Sequence, residues 1–274
     1  MPETERTIEH DGVPLAVFVA GEGPAVVLLH GLTATHRYVV MGSNALPRAG
    51  FRTISYDARG HGASSPAGSY SYAALAGDLG AVLDAFEIDR AVLAGASMGA
   101  HTLLRYALEA PARVAGLVVI TPAFVPDAVD DPARAQRWHA LADGLRRGGA
   151  DGFMEAYGEP DVPASMRATV LEVVRQRLSR HQHPEAVADA LDEVPFSHPF
   201  DSLDELAAIA APTTVVASRD ESDPEHPFSV GATYAEAIPG ARLVSEEPGR
   251  SPLAWQGGQL SKVITGVAQS AAPA

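Results

Sequence analysis

The 274-residue chain has no cysteine, which excludes disulfides, thiolate metal sites and a cysteine nucleophile together. Lysine is nearly absent as well: Lys262 is the only one, so the basic charge is almost all arginine. Positive charge is in deficit overall, 20 Lys+Arg against 34 Asp+Glu, for a formal net charge of −14. A surface of that sign repels phosphate backbones, so neither nucleic acid nor an anionic membrane is an expected partner. Long apolar runs are missing too. Those present, such as Ala25–Leu29 and Leu117–Ile120, fall far short of the roughly 20 residues a membrane span needs. The stretch Met1–Arg6 is acidic and lacks the apolar centre of a signal peptide, so a cytoplasmic location is expected. What is present is ordinary for one large globular domain: 46% hydrophobic and 20% charged residues, on a chain long enough to bury a substantial core. Ten histidines are the one item of composition able to move protons near neutral pH.

The patterning predicts an α/β fold. Thr7–His10 and Val13–Val19 flank Asp11-Gly12 and read as a hairpin. Short continuous apolar runs of the kind that form strands covered on both faces follow at Ala25–Leu29, Thr53–Tyr56, Ala91–Ala94, Gly116–Ile120, Thr213–Ala217 and Ala241–Val244. Helical periodicity lies between them, at Tyr72–Phe86, Met98–Leu108, Tyr234–Ile238 and Leu260–Val267. Strand alternating with helix predicts a mostly parallel sheet with helices on both faces. Residues 124–198 break the rhythm with helical patterns only, at Ala133–Arg146, Gly152–Tyr157, Met166–Leu178 and Pro184–Leu191. The expected division is therefore a core of residues 1–123 and 199–274, with 124–198 inserted as a helical lid over the carboxyl ends of the strands, where open parallel sheets bind ligands.

One motif carries chemistry. Gly95-Ala96-Ser97-Met98-Gly99 joins an expected strand to an expected helix, the context in which G-x-S-x-G forms a nucleophile elbow. Such a turn raises the serine hydroxyl above the sheet at a helix N-terminus, where the helix dipole favours developing negative charge. His30-Gly31-Leu32, after another strand, is placed to aim a backbone N–H at the same point as the N–H of Met98 and so complete an oxyanion hole. His30 reads as a loop anchor, the Asp57–Ser64 turn as structural, and His101, four residues beyond Ser97, as core packing.

These pieces, with Pro212–Val216 and Ile238–Ala241, resemble in order and spacing the α/β-hydrolase superfamily, in its lid-bearing esterase, lactonase and C–C hydrolase branch, over residues 10–265. The resemblance implies an eight-stranded, mostly parallel sheet and a Ser–acid–His triad in that chain order. It makes Ser97 the nucleophile and Leu32 and Met98 the oxyanion donors. The acid is expected just after the strand Thr213–Ser218, where Asp223, Glu221 and Asp220 compete in that order.

The chain departs from the family at the base. Where the pattern has a histidine, after the last strand, this sequence has Arg250, and no histidine follows His226. Arginine stays protonated and cannot take a proton from serine. Three readings stay open: His226 reaches over from the acid loop, a histidine of the insertion such as His198 serves, or hydrolysis is lost. Arg250 itself is expected to pair with an acid-loop carboxylate, or else to hold an anionic substrate. On the first two readings the protein is a serine hydrolase of a small ester, lactone or related carbonyl compound. On the third it is a hydrolytically weak binder of an apolar ligand, or puts the pocket to lyase-type use. No metal, redox or nucleotide cofactor is expected: His181 and His183 lack a same-face spacing, and Gly21–Gly23 lacks the rest of a dinucleotide fingerprint. The partner is a small-molecule substrate; the sequence leaves a homo-oligomer open.

Overall fold

The computed structural model describes residues 3–126, 131–160, 162, 164–219, 223 and 225–271, with the side chains of Ser165 and Met166 left aside. In chain order the elements begin with β1 (Thr4–His10), β2 (Val13–Ala20), β3 (Ala25–Leu29), α1 (Ala45–Arg48), β4 (Arg52–Tyr56), α2 (Tyr72–Ala85) and β5 (Ala91–Ala96). They continue with α3 (Met98–Glu109), β6 (Val114–Ile120), α4 (Pro132–Tyr157), α5 (Ala164–Leu178) and α6 (Pro184–Glu193). The chain closes with β7 (Thr213–Val216), α7 (Phe228–Ala237), β8 (Arg242–Val244) and α8 (Gly257–Ala271).

The eight strands form one sheet in the order β1-β2-β4-β3-β5-β6-β7-β8. The β1–β2 hairpin runs antiparallel, β2 meets β4 antiparallel, and every pairing from β4 to β8 is parallel. The all-apolar strands are those with helices on both faces. On one face, Leu93, Leu117 and Val119 pack with Leu79 and Leu83 of α2, Leu103 and Leu104 of α3 and Tyr234 of α7. On the other, Val92, Val118 and Val216 pack with Leu46 of α1 and Leu260 and Ile264 of α8. Among the described residues no helix is long and apolar enough to cross a membrane. Several expected edges shift: β1 begins at Thr4 rather than Thr7, β6 at Val114 rather than Gly116, α7 at Phe228 rather than Tyr234 and α8 at Gly257 rather than Leu260. The short α1 carried no periodic signal to find.

Between β6 and β7 the described regular structure is helical, as the sequence predicts. Helix α4 turns back on itself at Gly148 (φ −142°) and Gly149 (φ +57°). Its two arms touch so closely that a Cβ on Gly144 would lie 2.4 Å from the Gly152 carbonyl oxygen. The insertion has its own core, built from Leu141, Leu145, Phe153, Val174, Leu178, Val187 and Leu191. It is seated on the sheet frame by Ala186, Ala190 and Val194, which meet Tyr70, Tyr72, Leu75 and Met98. His181, beyond the end of α5, clips it down further: its Nδ1 accepts from the Gly62 N–H at 2.9 Å and its Nε2 donates to the Thr33 carbonyl at 2.9 Å.

The Asp57–Ser64 turn is structural throughout. Asp57 accepts from the His36 backbone N–H at 2.8 Å, the His36 ring at 2.8 Å and the Ala63 N–H at 2.9 Å. Arg59 makes a buried two-pronged pair with Asp78, 2.7 Å on each arm. His101 packs in the core, its Nε2 accepting from the Ala123 and Phe124 N–H groups at 3.0 and 3.1 Å.

Three buried histidines, His30, His61 and His101, and the largely enclosed His181 are held neutral by desolvation. Burial drives His30 down to about 4 and His101 to about 3, and lowers His61 and His181 as well. Each binds its proton more weakly folded than unfolded, so the unfolded chain gains protons first as pH falls below 6.5. Stability is full above that value and is lost as pH drops toward 4. His30 alone, taken from 6.5 to about 4, removes about 2 kcal/mol between roughly pH 7.5 and 5. Urea midpoints measured across that range are expected to decline; a flat profile would contradict the neutral cluster.

Candidate active site

Strand β5 ends one residue before Ser97, whose backbone is forced to φ +50° and ψ −113° before α3 begins. A non-glycine residue in that region is strained. The strain is held by what surrounds it: the Ser97 N–H donates to the Ile120 carbonyl at 2.9 Å and the His101 N–H to the Ser97 carbonyl at 3.1 Å. The flanking glycines are steric necessities. A Cβ on Gly95 would sit 2.4 Å from the Gly99 oxygen, and one on Gly99 would sit 2.2 Å from the Leu29 oxygen. The helix start therefore approaches the neighbouring strand end closely enough to present the serine at the carboxyl edge of the sheet.

His226 reaches Ser97. Its Nε2 lies 2.8 Å from Ser97 Oγ and its Nδ1 lies 2.9 Å from Asp223 Oδ2. With a carboxylate on one side, the ring carries its proton on Nδ1 and offers the Nε2 lone pair to the serine O–H. Acid and base belong to one turn, closed by the His226 N–H donating to the Asp223 carbonyl at 3.2 Å. Burial alone would raise the Asp223 carboxyl; the hydrogen bond and charge of His226, the Glu225 N–H and the Arg177 charge outweigh it and hold the carboxyl below its ordinary value. The same loop is tied to the insertion by Arg137 Nη1 on Glu225 Oε1 at 2.5 Å, a largely exposed pair worth under about 1 kcal/mol.

The Gly31–Ala34 segment runs alongside the serine: a Cβ on Gly31 would lie 3.4 Å from Ser97 Cβ. It is a β-turn closed by the Ala34 N–H donating to the Gly31 carbonyl at 3.0 Å, with Thr33 at φ +64° in its third position. Leu32 holds the second position, whose N–H such a turn leaves unused. Met98 is the first residue of α3, and its N–H has no partner within the helix. The Thr33 carbonyl is the one His181 grips, so the insertion braces the strained turn.

The remaining expected residues stand elsewhere. His198 is exposed, edge-on to the Phe124 ring at 5.4 Å, and makes no hydrogen bond to Ser97 or Asp223. Arg250 is also exposed, and among the described residues it pairs with no carboxylate. Its loop is drawn toward β7 by Glu246, whose Oε1 accepts from the Arg219 N–H and whose Oε2 accepts from the Leu253 N–H at 3.0 Å. The expected Arg250 pairing with the acid loop is thus not seen with Asp223; Glu221 and Asp220, the other acid candidates, lie outside the described residues. Of the aromatic residues of the insertion, Phe124 and Phe153 pack in hydrophobic cores. Sequence reasoning passed over Arg177, half-buried with its Nε enclosed and without a hydrogen-bond partner. No motif marks it. Among the described residues no cluster of three His, Asp or Glu side chains is arranged to hold a metal ion.

Comparison with known proteins agrees with this architecture. A family model described as alpha/beta hydrolase fold matches residues 24–154. A protein of Variovorax paradoxus whose name, carbamate hydrolase RutD, records an inferred activity is 32% identical over 229 residues, 77% of this chain and 79% of the relative. Among solved structures, a thermophilic esterase from Thermogutta terrifontis superposes with a TM-score of 0.79 at 25% identity, covering 98% of this chain and 99% of its own. Est816, described as an N-acyl homoserine lactone degrading enzyme, gives 0.76 at 26% identity over 95% and 99%.

The close approach at Gly99 has a measurable cost. Gly99→Ala puts a methyl group against the Leu29 carbonyl, which cannot retreat without breaking the β3–β5 pairing. The variant is expected to lose about 3 kcal/mol of stability, read as a lower urea midpoint; an unchanged midpoint would show that the elbow is looser than its geometry.

Proposed function

The chain belongs to the α/β-hydrolase superfamily, and within it we propose that it is a serine hydrolase of a small ester or lactone, with Ser97 as nucleophile, His226 as general base and Asp223 as its orienting acid. The observation that carries this reading is the unbroken chain Ser97 Oγ–His226 Nε2–His226 Nδ1–Asp223 Oδ2, at 2.8 and 2.9 Å. Ser97 Oγ attacks the carbonyl carbon while Nε2 takes its proton, and Asp223 steadies the imidazolium that forms. The carbonyl oxygen becomes an oxyanion and accepts from the N–H groups of Leu32 and Met98, each worth about 10²–10³ in rate where one such donor is lost. The tetrahedral intermediate collapses, the C–O bond to the leaving group breaks, and Nε2–H protonates the departing oxygen. Water, deprotonated by His226 in turn, then releases the acid from the serine ester. No cofactor takes part. The insertion acts as the lid that shields this site and supplies its wall. A non-hydrolytic binder is the expectation for a chain lacking a base; the 2.8 Å contact speaks instead for turnover.

The test is labelling with a fluorophosphonate and turnover of p-nitrophenyl acetate. Labelling is expected in the wild type and absent in Ser97→Ala. His226→Ala is expected to lower kcat/KM by about 10³-fold or more and Asp223→Asn by about 10²–10⁴-fold, while His198→Ala and Arg250→His stay within about threefold because neither side chain meets the relay. An unlabelled wild-type serine, or full activity in His226→Ala, would overturn the assignment.

A further inference from the structure

Among the described residues Arg177 is the arginine with an enclosed N–H that meets no acceptor. It lies on α5, and Val174 and Leu178, its neighbours along the helix, are buried in the insertion's core. Its Nε is fully enclosed and meets no acceptor. Among the described residues its guanidinium has no ion pair either. Four other arginines of the insertion, Arg137, Arg146, Arg167 and Arg175, each pair with a carboxylate, and the buried Arg59 pairs with Asp78. In a protein with 34 acidic and 20 basic side chains, acidic partners are plentiful. A half-buried cation with an enclosed, unmatched N–H is costly unless something supplies the missing acceptor.

Its location says what that something is near. Leu178, the next residue, packs in the same cluster as Leu32, and His181, four residues on, donates to the Thr33 carbonyl. The end of α5 therefore rests on the turn that runs beside Ser97. The Arg177 charge is also felt by Asp223, by Tyr38 and by Tyr157. A second donor without a partner, the enclosed Trp138 Nε1, belongs to the same insertion, on α4. Both unmet groups donate and neither accepts, so what completes them is an acceptor.

We infer that Arg177 is a substrate-binding residue for a carboxylate, and that the natural substrate is an ester or lactone carrying a free carboxyl group on its acyl side. This deepens the serine-hydrolase reading and rests on it. Two planar oxygens of a carboxylate match the guanidinium fork. The anion neutralises the buried charge only when substrate is seated, so binding energy from a part of the molecule that does not react is directed to placing its carbonyl against Ser97. Arg250, the arginine that sequence alone would nominate for this task, is exposed at a loop tip.

Matched esters separate the possibilities. p-Nitrophenyl butyrate is neutral; the mono-p-nitrophenyl esters of succinate, glutarate and adipate carry a carboxylate on spacers of increasing length. In the wild type at least one anionic ester is expected to exceed the neutral one in kcat/KM. Arg177→Met should lower kcat/KM for that ester by roughly 10- to 100-fold more than for the butyrate, mainly through KM, any loss common to both esters reporting its charge on Asp223; Arg177→Lys should fall between. Because Met removes a half-buried cation with an unmatched N–H, the variant is expected to unfold at an equal or higher temperature than the wild type. Equal losses on both ester types, no loss on either, or a lowered unfolding temperature would overturn the subsite and make the guanidinium a support for Asp223 or for the insertion. If the wild type turns over none of these esters, the hydrolase reading fails on its own. The subsite is then judged by calorimetry with glutarate: binding weakened tenfold or more in Arg177→Met upholds it, and no binding to the wild type sinks it.

Discussion

A single hydrogen bond, Ser97 Oγ to His226 Nε2 at 2.8 Å, joins residues 129 positions apart, and most of the structure serves to make that meeting possible. One partner is set by sheet packing. Strand β5 runs between β3 and β6, with glycines where α3 must press against the end of β3, so Ser97 has nowhere to go but up from the carboxyl edge. The other is set by a turn of only four residues, Asp223 to His226, which begins beyond β7 and ends at α7. Because β7 lies next to β6 and two strands from β5, that turn opens at the same edge of the sheet as the elbow. The relay is thus short-range on its acid–base side and long-range on its nucleophile side.

The proposed relay would let a hydrolase fold carry Arg250 at the position the family resemblance gives to histidine. The chemistry asks only that a neutral ring nitrogen lie within hydrogen-bond reach of the serine and that the other nitrogen meet a carboxylate. It does not ask from which loop the ring comes. An imidazole on the acid loop would leave the segment after β8 without a task in the proposed relay, and Glu246 ties that segment to Arg219 beyond β7 and to Leu253, with Arg250 exposed. The insertion gains in importance by the same change. His181 holds the strained Thr33 turn and Arg137 holds Glu225, so the insertion touches both the turn carrying Leu32 and the loop carrying His226.

Much of this was legible in the chain before folding. Apolar runs of four or five residues became the parallel strands because only a strand covered on both faces buries so continuous a stretch. The helical insertion was visible as the region where those runs cease. Gly95-Ala96-Ser97-Met98-Gly99 announced its own turn, since the backbone crowding that requires glycine at both flanks is a local matter. Asp223 and His226 were legible as candidates but not as a pair, because Glu221, Asp220 and His198 fit the spacing about as well. Periodicity says which face of an element is buried and is silent on where a loop side chain points.

The sequence by itself therefore determined the sheet, the elbow and the absence of a base in its usual place, all of which follow from local sterics and hydrophobic period. Only the tertiary structure decided which histidine faces the serine, that Arg250 faces solvent, and that Arg177, among the described residues, has an enclosed Nε and no ion pair. Those outcomes depend on contacts between segments 40 to 130 residues apart, whose geometry is a property of the packed core and of no stretch of sequence taken alone.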